Sequence, residues 1–179
     1  MKSNVQFTKI RDVKSPNRAH STDAGSDFFI PNYSDEFFAA LKEKNKGNKL
    51  IYQMSVGDDG QELEITILPG EQVNIPSGIK VNILDKDTFL ECKNKSGVAS
   101  KYHLDVMACI IDADYQGEIH LNFVNTGNEN VTVKTGQKIV QLIQQHYLDT
   151  QWEEITTDEY DSLEVSSRGN GGFGSSGIK

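Results

Sequence analysis

The run Val106-Met107-Ala108-Cys109-Ile110-Ile111-Asp112-Ala113-Asp114-Tyr115-Gln116-Gly117-Glu118-Ile119-His120-Leu121-Asn122-Phe123-Val124 places an acidic turn between two apolar segments. Val106, Ala108 and Ile110 alternate on one side, and Ile119, Leu121 and Phe123 alternate on the other. A period of two marks a strand with one buried face, so the run predicts two strands joined through Asp112–Gly117. Two acids, an aromatic ring and a glycine at such a junction suit chemistry on a polar substrate. Asp112 can accept a proton or orient a water, Tyr115 offers a flat face, and Gly117 admits a close backbone. Taken alone, the same residues also make an ordinary acidic turn.

Outward from this stretch the period-two pattern recurs. On the N-terminal side, Val5 and Phe7 start a first strand, and a polar loop from Ser15 to Asp27 leads into Phe28-Phe29-Ile30, closed by Pro31. Ser34 is a candidate N-cap, followed by Asp35 and Glu36 in the first turn and Phe37, Phe38 and Leu41 at helical spacing; this predicts one short amphipathic helix. Tyr52, Met54 and Val56 alternate, Gly57-Asp58-Asp59-Gly60 reads as a turn, and Leu63, Ile65 and Ile67 alternate again, which predicts a hairpin. Val73 and Ile75 precede a Pro76-Ser77-Gly78 turn signal, followed by Ile79, Val81 and Ile83 and by Phe89-Leu90-Glu91-Cys92. On the C-terminal side come Val131 and Val133, a turn at Thr135-Gly136-Gln137, and Ile139 to Ile143. Many short strands with turn residues between them predict an all-β sandwich or jelly roll. The expected organisation is a β-rich core over 1–150, carrying an inserted helix and hairpin at 33–60, and a linker and Gly-rich arm over 151–179. The arm's Gly and Ser content cannot bury a core, so read alone it is a flexible linker.

Composition excludes several classes. With 179 residues and a net charge of −8, the chain offers no basic stripe for nucleic acid. No apolar run is long enough to span a bilayer, and Met1 to Gln6 lacks the apolar stretch of a signal peptide, which predicts a cytoplasmic protein without a membrane partner. The 2 cysteines, Cys92 and Cys109, fit neither zinc spacing nor a disulfide framework, and their apolar surroundings predict buried thiols.

Five stretches, in order, resemble the motifs of the homotrimeric dUTP pyrophosphatases (dUTPases). Asp23-Ala24-Gly25-Ser26-Asp27-Phe28 is similar to DAGxDL, and Lys95-Ser96-Gly97-Val98-Ala99 to the RSGLA of PRSGLA. Ile111 to Gly117 is similar to IDxDYRG, Gly136 to Leu142 to GDRIAQL, and Arg168 to Gly177 to RGxGGFGSTG. The resemblance covers nearly the whole chain except roughly 33–60. It implies a jelly-roll dUTPase fold with a flexible C-terminal arm, and hydrolysis of dUTP to dUMP and pyrophosphate. It implies Asp112 as the acid that holds the attacking water, Mg²⁺ on the triphosphate, and Asp27 as a metal ligand through water. Ser96, Gly97 and Gln141 would contact phosphate. Lys95 stands where the family has Arg, keeping the charge but losing the planar fork, and Asn94 stands where it has Pro. Tyr115 would lie against the deoxyribose and exclude a 2′-OH. Main-chain groups around Cys109 and Ile110 would read uracil; Met107 and Cys109 replace residues that are small in many relatives. Arg168 would meet the γ-phosphate, Phe173 would stack on the base, and Gly174, Ser175 and Ser176 would cradle phosphate oxygens. The resemblance also implies a homotrimer with shared sites.

Two other readings start from the same residues. The related dCTP deaminases share the fold, but Asp112 to Gly117 and the arm favour the pyrophosphatase. The other is a nucleotide-sensing interaction protein that docks a partner through the insert at 33–60; as a surface elaboration that insert would be tolerated at low cost.

Overall fold

The computed structural model describes residues 4–57 and 60–171, so Asp58 and Asp59 of the expected turn lie outside the described residues. In the first of two units, which ends at Leu148, the elements are β1 (Val5–Lys9), β2 (Ser26–Phe29), α1 (Asp35–Lys44), β3 (Leu50–Gly57), β4 (Gly60–Ile67), β5 (Gln72–Ile83), β6 (Thr88–Asn94), α2 (Ser96–Tyr102), β7 (Leu104–Val106), β8 (Ile110–Ile111), β9 (Glu118–Asn125), β10 (Val131–Lys134) and β11 (Lys138–His146). They form three antiparallel sheets, ordered β1-β5-β9-β7, β10-β4-β3 and β2-β11-β6-β8. This is the all-β, jelly-roll-like architecture that the strand spacing predicts.

The alternating residues make the core. Leu63, Ile65 and Ile67 of β4 and Ile119, Leu121 and Phe123 of β9 are buried while their neighbours face outward. At about 25 cal/mol per Å² of apolar surface, each such side chain stabilises the fold by roughly 1.5–3 kcal/mol.

The insert is part of this core. The Ser34 hydroxyl caps α1 by accepting from the Phe37 N–H at 3.1 Å, and Phe37 and Leu41 are fully buried. Asn45, just past the helix, is buried as well. Its side chain accepts from the Asn74 N–H at 2.8 Å and donates to the Asn74 carbonyl at 2.9 Å, on the side of β5 away from β9. The expectation of a surface elaboration is therefore corrected for α1, while β3 is the outer strand of its sheet.

Three further differences from the sequence reading have local causes. Pro76-Ser77-Gly78 does not end a strand; β5 continues through it with a shift of register against β9. Gly78 has φ +74° there, and a Cβ would sit 2.9 Å from the Arg11 Cβ. The segment Val106–Ile111 is not one strand: β7 pairs with β9 while β8 pairs with β6. The chain passes between sheets at Met107–Cys109, so Leu104 and Ile111 are buried whereas Ile110 is 57% exposed. A single alternating pattern cannot reveal a strand that changes sheets. Lastly, α2 follows Lys95 without the apolar periodicity that would announce it, since none of its residues is buried.

The second unit starts at Asp149. Its described residues hold a short helix, α3 (Thr157–Asp161), closed at its start by a capping box between Thr156 and Glu159. The motif Thr156-x-x-Glu159 is the sequence signal for it, inside a segment whose composition reads as unstructured. Residues 149–170 are exposed, including Trp152 at 93% and Val165 at 80%.

Candidate active site

The expected site residues fall into separate groups. The first lies where β2, β11 and the end of β6 meet. Asp27 is buried on β2, and both of its carboxylate oxygens are taken: Oδ1 by the Lys95 ammonium and Oδ2 by the Lys138 ammonium at 2.7 Å. Burial alone would raise the Asp27 carboxyl, but hydrogen bonds from Lys138 and Lys95 hold it below the usual carboxylate range. Two ammonium groups on one carboxylate leave a net charge of +1. Lys138 was not among the expected site residues; its position within the Gly136–Leu142 stretch was the available signal.

Gln141 lies one strand from Asp27 and is its direct partner in the β2–β11 pairing. Its side-chain amide donates to the Asn94 carbonyl at 3.0 Å. Gly25 makes room for it: a Cβ there would lie 2.6 Å from Gln141 Oε1. The Asn94 side chain ties β6 to β7, accepting from the Val106 N–H at 2.9 Å and donating to Asp105. Ser96 and Gly97 open α2 directly after Lys95, and a Cβ on Gly97 would meet nothing within 4 Å. A cleft of about 440 Å³ beside α2 is lined in part by Val98, Tyr102, Gln137 and Lys138. Gln141, Lys95, Ser96, Gly97 and Asp27 are thus brought together.

The second group is the turn between β8 and β9. Asp112 is exposed, and its carbonyl accepts from the Tyr115 N–H at 3.1 Å. The Tyr115 hydroxyl donates to the Glu118 carbonyl at 2.9 Å, and the ring crosses Gly117 so closely that a Cβ would sit 2.4 Å from the hydroxyl oxygen. Lys86 donates to the Ala113 carbonyl at 2.9 Å. Behind the turn, Arg11 holds Glu118 through both carboxylate oxygens at 2.8 and 2.9 Å, and the Gly78 N–H adds a bond at 2.7 Å. Burial would raise the Glu118 carboxyl, but Arg11 and Gly78 hold it below its usual range. Ordinary sequence reading gives no sign of this Arg11–Glu118 clamp, which joins residues 107 apart.

These two groups stand apart within one chain. Ile111 pairs with Leu90, so Asp112 lies beyond the start of that pairing, whereas Lys95 follows the other end of β6. The five residue steps from Leu90 to Lys95 span about 17 Å of extended chain. Cys109 and Ile110 lie between, along the middle of β6. Cys109 is only half-buried, contrary to the expectation for both thiols; Cys92 is buried.

In the second unit, the Arg168 guanidinium is exposed and donates to the Gly171 carbonyl at 2.8 Å. Phe173, Gly174, Ser175 and Ser176 lie outside the described residues. Among the described residues no cluster of three or more His, Cys, Asp or Glu side chains is arranged to hold a metal ion, and no helix is long and apolar enough to cross a membrane.

Comparison with known proteins adds a family. Residues 60–177 match the dUTPase family model. A deoxyuridine 5′-triphosphate nucleotidohydrolase of Finegoldia magna is 34% identical over 146 residues, covering 76% of this chain and 98% of the relative. One of Clostridium novyi is 36% identical over 145 residues, covering 77% and 98%. A solved dUTPase of Staphylococcus bacteriophage 80alpha with dUpNHpp superposes with a TM-score of 0.68, covering 98% of this chain and 99% of that one; at 22% identity it speaks for the fold. With its five motif-like stretches in order, this match over most of its length, and relatives covered almost end to end, the chain belongs to the dUTPase family.

Proposed function

We propose that this chain hydrolyses dUTP to dUMP and pyrophosphate as a homotrimer in which each site draws on more than one subunit. The observation that carries the shared site is the separation of Asp112 and Tyr115 from Lys95, Ser96 and Gln141 along β6. Asp112 would act at the α-phosphorus and Lys95 on the adjacent phosphates, groups that lie much closer together in dUTP than the about 17 Å of extended strand between these residues. A cyclic assembly can bring the turn of one subunit to the cationic corner of another. The exposed Trp152 and Val165 of the second unit fit an arm that finds its cover on a neighbour.

In this reading, the corner formed by Lys95, Lys138 and the start of α2 receives the phosphates. Its net positive charge suits an anion, and the Ser96 and Gly97 N–H groups at the head of α2 add donors. Gln141, held by Asn94, adds a polar contact. Asp112 accepts a proton from a water as the water oxygen bonds to the α-phosphorus and the bond to the bridging oxygen breaks, releasing pyrophosphate. Tyr115, pinned by its bond to the Glu118 carbonyl, supports the deoxyribose. Main-chain groups at Cys109 and Ile110 read uracil, and cytosine is rejected because it would leave buried groups unpaired. Arg168 and the arm close over the triphosphate and exclude water. The expected consequence is removal of dUTP before it enters DNA, with supply of dUMP.

Asp27 does not fit the part of a magnesium ligand in this arrangement. Both its oxygens hold ammonium groups, and the triad is cationic. Mg²⁺ would instead come with the substrate and neutralise phosphate charge, as suits an ion that keeps most of its water; no step here depends on a metal bound to Asp27.

A second role has its own observation. β3 is an outer strand, and Ile51, Met54 and Val56 on it are 52%, 42% and 88% exposed. This supports a protein partner on the insert at 33–60. Capture of the same proteins by wild type and by Ile51→Lys/Val56→Lys chains would end that reading.

The first test is pyrophosphate release from dUTP, dCTP, dTTP and UTP, with wild type beside Asp112→Asn. Release from dUTP alone, reduced about 10²–10⁴-fold by the substitution, is expected. Ammonia from dCTP would point to a deaminase, and tight dUTP binding without turnover to a sensor.

A further inference from the structure

The two cysteines face each other across a strand pair. Leu90 pairs with Ile111 and Glu91 with Ile110, and the same register continues to Cys92 and Cys109. The Cys92 N–H donates to the Cys109 carbonyl at 2.7 Å, extending the ladder by one bond. Opposite residues in such a pair have Cα atoms about 5.5 Å apart and side chains on one face, within the range a disulfide needs. The faces agree: Leu90 and Cys92 point inward with Ile111, while Glu91 and Ile110 point outward. The two thiols differ in access. Cys92 is 2% exposed, while Cys109 is half-buried in the segment where the chain leaves one sheet for another. The Cys109 thiol donates only a long, weak hydrogen bond to the Met107 carbonyl, at 3.8 Å.

We propose that Cys92 and Cys109 form an oxidisable dithiol that a peroxide converts to a reversible cross-strand disulfide. Cys109, the accessible thiol, loses its proton to solvent, and its sulfur attacks one peroxide oxygen. The O–O bond breaks and the departing oxygen leaves as water, giving a sulfenic acid on Cys109. The Cys92 sulfur then bonds to the Cys109 sulfur, the S–O bond breaks, and the hydroxyl leaves as water with the Cys92 proton. The two thiols lose two electrons and the peroxide gains them. Burial pushes the Cys92 thiol up to about 12, which keeps it protonated and inert toward oxidants in solution; its nearness to Cys109 carries the second, resolving step, which is the slower of the two. This is a hydrogen-bonded pair, whose side chains sit farther apart than those of a non-hydrogen-bonded one, so a disulfide across it is strained, which favours its reduction by small thiols.

The consequence for nucleotide handling rests on the function proposed above, because Cys109 belongs to the segment assigned to base recognition. Joining it to Cys92 would lock that segment against β6, where one ladder hydrogen bond now holds it.

The full-length protein is treated with hydrogen peroxide, alkylated, digested and mapped by mass spectrometry, with dUTP hydrolysis followed in parallel. The expected result is a Cys92–Cys109 linked peptide, loss of both free thiols, a single-chain band on a non-reducing gel, and recovery of both thiols with dithiothreitol. In Cys92→Ala, with Cys92→Val as a second variant that fills the space, peroxide should carry Cys109 to a sulfinic acid that dithiothreitol does not reverse. Over-oxidised Cys109 in the wild type, or linkage only between Cys109 residues of two chains, would overturn the proposal. A mapped disulfide in a protein that never hydrolysed dUTP would leave the dithiol standing and remove the proposed function instead.

Discussion

Asp112 and Lys95 lie at opposite ends of the same strand, β6, one beside its first residues and the other directly after its last. This separation makes site sharing testable with mixed chains. Asp112→Asn and Lys95→Ala proteins should each be poor enzymes alone. Unfolding them together and reassembling them should restore a measurable part of the wild-type rate, because some sites then draw an intact turn and an intact corner from different chains. No recovery in verified mixed assemblies would place the whole site within one subunit.

The Asp27 triad should be visible in the pH dependence of stability. Asp27 and Glu118 are both held below their usual range. The stability they contribute is therefore present above the unfolded carboxylate range near pH 4 and is lost as pH falls through their lower folded values. Asp27→Asn should flatten this acid limb. At pH 7 it should cost about 2–3 kcal/mol in urea melts, since two lysines lose their counter-charge but can turn toward water. An unchanged acid limb would mean that Asp27 is paired equally in the unfolded chain.

Gly117→Ala should act through Tyr115. The added methyl would overlap the Tyr115 hydroxyl region at 2.4 Å and push the ring off its bond to the Glu118 carbonyl. The expected readout is a rise of about tenfold in kcat/KM for UTP relative to dUTP, as exclusion of the 2′-OH relaxes. Equal losses on both substrates would show that the ring does not select the sugar.

Phe37→Ala should cost about 3–5 kcal/mol, as for a fully buried aromatic ring in a core. Deleting 33–60 should leave an insoluble or unfolded chain. Partner binding through the insert is therefore better tested with substitutions of the exposed side chains on β3. A deletion that melts like wild type would return the insert to the status of a surface loop.

Much of this was legible in the sequence where a signal was local. The Ser34 cap, the Phe37/Leu41 face, the β3–β4 hairpin and the alternation of β9 all depend on residues within a few positions of one another. What escaped depends on pairing at long range. That Lys138 shares Asp27 with Lys95 follows from β11 lying between β2 and β6, and no pattern within Gly136–Leu142 states it. The Arg11–Glu118 clamp joins the two ends of the β1–β5–β9 arrangement. The split of Val106–Ile111 between sheets appears only once both partners are known. For the candidate site, the residue types were readable from the motifs, but their distribution into two distant groups was not.

Asn45 carries a consequence of a different kind. β1 covers one side of β5 only from Ile79 to Ile83, which leaves Asn74 facing away from β9 without a neighbouring strand. Asn45 supplies both the donor and the acceptor that such a strand would have brought. An uncovered stretch of ladder is a template on which another molecule can add a strand, so this one amide closes a route to edge-to-edge aggregation. Asn45→Ala is therefore expected to raise self-association at high concentration, through a residue of the insert that lies outside the candidate site.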